Sequence, residues 1–133
     1  MTDTCILYMQ LGDGDIVVVN EEGDAQRAIP KDDKLIGNET TSLCGSNAWH
    51  DMRVAVQHIE DQPPAMILMS TDGYANSFRD DAGFLKVGPD LLRMVRDEGL
   101  DYVDKELTNW LTEASSSGSG DDVTLGIICR LKC

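Results

Sequence analysis

Apolar and polar positions divide the chain into a strand-rich first part, a helical stretch and a closing strand. Met66 to Met69 is a short apolar run bounded upstream by Gln62-Pro63-Pro64 and downstream by Ser70-Thr71-Asp72-Gly73. Such a run between turn signals predicts a strand buried on both faces. Cys5–Leu11 and Asp15–Asn20 predict two more strands, and Gly12-Asp13-Gly14 between them reads as a tight hairpin or a bulged corner. Ala25–Ile29 predicts a short strand ended by Pro30. Asp51–Ile59 alternates Met52, Val54 and Val56 against Arg53, Ala55 and Gln57, a strand with one wetter face. His58 is then an ordinary strand residue near an edge, and His50 belongs to the preceding loop. Residues 31–46 lack a period and read as an extended loop.

Downstream, Arg79–Gly88 reads as a loop carrying Asp80-Asp81. Pro89 opens a helix with Leu91, Leu92 and Val95 on its apolar stripe, and Gly99 ends it. A second helix begins near Asp101, with Val103, Leu107, Trp110, Leu111 and Ala114 at helical spacing. Two such helices form a layer against a sheet, an α+β arrangement. Ser115–Gly120 is low complexity. Only residues 121–133 follow it, so it predicts a flexible loop feeding the last strand, Val123–Leu131, rather than a linker.

Length and composition narrow the classes. The 133 residues predict a single domain, 1–133, with 41% apolar content and a real core. No apolar run approaches the roughly 18 residues of a membrane span, and the N-terminus lacks a signal peptide's basic region. The net charge of −13, from 24 acids and 11 bases, argues against a nucleic-acid surface. The four cysteines include no CxxC pair, which excludes zinc-finger spacing and predicts a reduced, cytoplasmic protein.

The chemistry-bearing pattern is a carboxylate beside glycine at a strand end, and it recurs. Asp13 lies in LGDGD, Asp72 in STDG and Asp121 in SGDDVT. Each alone is an ordinary turn or helix cap, since Asp and Gly are common turn residues. Converging, they would supply the anionic oxygens that Mg²⁺ or Mn²⁺ requires. Asp13-Gly14-Asp15 is also part of a calcium-loop pattern, but the remaining ligands and a closing Glu are missing.

In order and wording, Gly12-Asp13-Gly14, Thr71-Asp72-Gly73 and Asp121-Asp122-Val123-Thr124 resemble the metal-dependent protein phosphatase family, type 2C, over nearly the whole chain. Glu39-Thr40-Thr41-Ser42-Leu43 is similar to the bacterial members. The resemblance implies that Asp72 and Asp121 serve a two-metal core and that Asp13 helps hold a third, weaker metal. Gly12, Gly14, Gly73 and Asp122 would be supporting turn residues. Asp122 stands where the family usually has Asn, so no direct ligand role carries over. Asp15 stands where the family has Arg, so that role does not carry over either.

No segment matches the family's phosphate-binding Arg, its early acidic residue or the DG-x-GG stretch with the bridging Asp. The expectation is therefore the C-terminal half of a catalytic domain, part of an α-β-β-α sandwich, with no catalytic residue beyond the metal ligands. Implied partners are a phosphoprotein substrate, the N-terminal half and, through exposed strand edges, a second copy. The reading from another class is a non-catalytic regulatory or cation-binding module.

Overall fold

The computed structural model describes residues 4–31, 43–45, 48–59 and 62–131. Its elements are β1 (Cys5–Gln10), β2 (Asp15–Val19), β3 (Ala25–Arg27), α1 (Ala48–Asp51), β4 (Arg53–His58) and β5 (Met66–Ser70). They are followed by α2 (Asp72–Asn76), α3 (Asp81–Leu85), α4 (Val87–Glu98), α5 (Leu100–Ala114) and β6 (Leu125–Cys129).

All pairing is antiparallel. One sheet has the order β3-β2-β5-β6, and the other is β1 with β4. β5 is central because its apolar run can be buried on both sides. Met66 and Leu68 join Val17 and Val19 of β2 on one face, packed against Phe84, Leu91, Leu92, Val95 and Val103 of the helices. Ile67 and Val18 point the other way and meet Ile6 and Tyr8 of β1 with Ile29. The result is helices on sheet on sheet, the α+β layering with antiparallel strands expected from the sequence.

Several local readings change. β1 does not form a hairpin with β2. Residues 11–14 are instead a corner that carries the chain from one sheet to the other, and β1 pairs with β4 from Cys5↔His58 to Gln10↔Arg53. The wetter face of β4 is the reverse of what its composition implies. Val54 and Val56 lie opposite Met9 and Leu7 and point outward, all four between 52% and 58% exposed, while Arg53, Ala55 and Gln57 face inward, half-buried. Among the described residues nothing covers this outer apolar face. His50 sits in the short helix α1 rather than a loop, and His58 ends β4 as expected.

Asp80 and Asp81 form no loop: the Asp80 carboxylate accepts the Gly83 N–H at 2.8 Å and caps α3. α4 starts at Val87, so Pro89 lies inside its first turn, where a missing N–H costs nothing. Gly99, at φ 91°, ends it. Ser115–Ser119 continues from α5 as a wide turn, kinked at Gly118 and closed by the Gly120 N–H on the Ser115 carbonyl at 2.9 Å, instead of looping freely. Of the stretch Glu39–Leu43, only Leu43 falls within the described residues.

One buried ionic cluster ties β2, β3 and α3 together. Arg27 pairs with Asp15, whose side chain is 5% exposed, and reaches Asp81 at 2.6 Å. Its guanidinium lies 5.3 Å from the Phe84 ring centroid. Asp15 is thereby committed to Arg27, which removes it from any calcium loop. Replacing Arg27 with Ala strands the Asp15 carboxylate in the interior, and unfolding in urea should show a loss of about 3–5 kcal/mol. An unchanged urea midpoint would contradict this account.

The hydrogen bond from Arg27 also holds the Asp81 carboxyl below the ordinary carboxylate range. A depressed folded value contributes stability above the unfolded value and loses it as pH falls through the folded one. The chain should therefore weaken on acidification below about pH 4, and Asp81→Asn should shrink that pH dependence. The effect is small because the Asp81 side chain is 53% exposed.

Candidate functional site

The register of β2 on β5 builds the site. Asp15 pairs with Ser70, the last rung of the ladder, so the residues just beyond it, Asp13-Gly14 and Thr71-Asp72, meet at one end of the sheet. The approach is close: a Cβ on Gly14 would lie 2.6 Å from the Ser70 carbonyl oxygen, which only glycine avoids. Gln10 donates to the Gly14 carbonyl and steadies the corner.

Asp13 and Asp72 line one cavity of about 210 Å³, together with Gln10, Lys31, Arg53 and Asn76. Asp13 is exposed and Asp72 half-buried. Asp72 is the first residue of α2, where a carboxylate complements the helix N-terminus. One of its oxygens accepts the Gly73 N–H at 2.8 Å. The other lies 3.5 Å from the Asn76 amide. Capping and a site role are therefore compatible, because the local bonds leave acceptor capacity on both oxygens.

Asp121 arrives by a different route. The Thr71 N–H donates to the Thr124 carbonyl at 3.2 Å, and the Thr124 N–H donates to the Thr71 hydroxyl at 3.0 Å. That hydroxyl in turn donates to the Asp122 carbonyl at 3.2 Å. The Ser-rich turn adds to this fastening, since Ser119 and Ser77 both donate to the Gly73 carbonyl, at 2.9 and 2.7 Å. The 121–122 segment is thus pressed onto Gly73, where a Cβ would lie 2.7 Å from the Asp122 oxygen and 3.0 Å from the Asp121 Cβ.

The structure brings Asp13 and Asp72 to one cavity and sets Asp121 against the neighbouring Gly73, outside that cavity's lining. Among the described residues, no group of three or more His, Cys, Asp or Glu is placed to hold a metal ion. The donors fit a hard cation in kind, being carboxylate oxygens. In number they fit the open mode of Mg²⁺, which takes one or two carboxylates and keeps several waters. Arg53, Lys31, Gln10 and Asn76 had no sequence signal of their own. Only the β1–β4 register, which sets Arg53 opposite Gln10, places Arg53 here.

The sequence profile of protein phosphatase 2C matches residues 1–112. The chain belongs to the protein phosphatase 2C family. A solved structure described as a bacterial serine phosphatase matches with a TM-score of 0.62 at 14% identity. The match covers 97% of this chain and 54% of that one, so the chain spans about half the length of its structural neighbour. No curated protein matches the chain. Among the described residues no helix is long and apolar enough to cross a membrane.

Gly73→Ala tests the seam between α2 and the 121–122 segment. The added methyl meets backbone, which cannot rotate away, so the variant should lose about 1–3 kcal/mol on thermal unfolding. The amide resonances of Asp121 and Asp122 should move more than those of β1, and equal movement would contradict this packing.

Proposed function

We propose that this chain contributes carboxylate ligands to metal-dependent hydrolysis of phosphoserine and phosphothreonine in proteins, in the cytoplasm. The observation that carries the reading is the meeting of Asp13 and Asp72 at adjacent strand ends on one cavity, in a chain of this family. Mg²⁺ or Mn²⁺, two or more in the complete domain, would supply a water of lowered pKa and neutralise phosphoryl charge.

The chain's own residues do the holding. Asp72 and Asp121 serve the core, and Asp13 a weaker outer position. Gly12, Gly14 and Gly73 let backbones approach, and the Asp122 carbonyl, bonded to Thr71, positions Asp121 rather than ligating. No side chain is required as a covalent nucleophile.

The remaining ligands and substrate contacts are assigned to an N-terminal half of the catalytic domain. By itself the chain should bind metal weakly and turn over slowly or not at all. The outer face of Leu7, Met9, Val54 and Val56 would take a further layer from that half or, through strand edges, from a second copy. A non-catalytic regulatory or cation-binding role is the second reading, and the position of Asp121 outside the lining shared by Asp13 and Asp72 favours it.

Mn²⁺ titration and hydrolysis of p-nitrophenyl phosphate separate these readings. Asp72→Ala should weaken Mn²⁺ binding by at least about tenfold, since even outer-shell changes cost that much. Binding that survives the substitution removes Asp72 from the site. Mn²⁺-dependent hydrolysis by this chain, abolished by Asp72→Ala, would show the site to be complete without a further segment.

A further inference from the structure

A separate cavity of about 290 Å³ lies between the end of α2 and α5, where Tyr74, Ser77 and Phe78 face Trp110 and Glu113. Three of these side chains are aromatic and one is a carboxylate, and no lysine or arginine lines the space. Among the described residues, the exposed Glu113 carboxylate enters no ion pair. Tyr74 is 8% exposed, and among the described residues its hydroxyl has no hydrogen-bond partner. Burial raises the pKa of that hydroxyl, so it stays neutral and able to accept an N–H. The cavity thus gathers acceptors and negatively polarised ring faces without a cation to meet them.

The same aromatic cluster already takes one cation from within the chain. Tyr74, Phe78 and Phe84 pack with ring centroids 5.3 to 6.1 Å apart, and the Arg27 guanidinium lies over Phe84. We infer that the cavity on the other side of this cluster docks an arginine side chain of a protein partner. A guanidinium is weakly hydrated, stacks on aromatic faces and presents N–H donors in a fork that a carboxylate accepts in pairs. A lysine ammonium is more strongly hydrated, and a quaternary ammonium has no N–H to give Glu113 or Tyr74. The net charge of −13 favours a basic partner at any distance. α2 starts at Asp72 and runs into Ser77 and Phe78, so a partner anchored here sits one short helix from the carboxylate cavity. The contact needs no metal and does not rest on the phosphatase reading.

The test uses this chain and the capped peptide acetyl-Gly-Arg-Gly-amide, followed through the tryptophan indole N–H resonances. The Trp110 resonance should shift as peptide is added, and that of Trp49, in α1 and outside the cavity, should not. Glu113→Gln and Trp110→Leu should each weaken binding about threefold, within the range of an exposed ion pair or cation–π contact. The corresponding lysine peptide and tetramethylammonium should both bind more weakly than the arginine peptide.

A Trp110 resonance that stays fixed in the unsubstituted chain overturns the inference whatever the variants do. So does binding that Glu113→Gln leaves intact, or equal binding of all three cations. Concentration-dependent dimerisation that Glu113→Gln abolishes would make the occupant a second copy of this chain and overturn a separate partner.

Discussion

The arrangement depends on β5 being buried on both faces while held in one register against β2. A one-residue slip would turn Ile67 toward the helices and Met66 and Leu68 toward the second sheet, exchanging two packed cores at once. The same register sets Asp15 opposite Ser70 and so brings Asp13 beside Asp72. The packing that stabilises the middle of the sheet therefore positions the chemistry at its end. A rigid strand thereby carries a carboxylate to a defined place.

Around that strand, the site is assembled by close backbone approaches and committed charges. Gly14 abuts the Ser70 carbonyl, and Gly73 abuts the 121–122 segment. Asp15 and Asp81 are occupied by Arg27, which fastens β3 and α3 beside the cavity that Asp13 and Asp72 line from the strand ends. Arg53 lines the same cavity and donates to the Gly12 carbonyl. The serine-rich turn acts through hydroxyl bonds to Gly73 and keeps the last carboxylate segment in contact with α2.

Membership of the protein phosphatase 2C family and a fold shared with a serine phosphatase at 14% identity agree with this layout. At that identity the likeness establishes architecture, and the chemistry has to be argued from the residues themselves. The bare outer face of β1 and β4 belongs to the same picture. Among the described residues, this two-stranded sheet carries apolar side chains on both faces, and its outer ones are exposed.

By itself the sequence determined the elements whose signals are local. β5 was legible as an apolar run between Pro64 and Asp72-Gly73, and α4 and α5 were legible from their stripes and from Gly99. Asp13, Asp72 and Asp121 beside glycines were legible as turns, and their order and flanks pointed to the family. Only the tertiary structure decided that β1 pairs with β4, that the polar side of β4 is the covered one and that Arg27 claims Asp15. It also decided that Ser115–Ser119 continues from α5 as a kinked turn, and that Arg53 shares a cavity with Asp13 and Asp72. These depend on partners distant along the chain, whose packing and hydrogen bonds override what neighbouring residues prefer, so no local period or propensity encodes them.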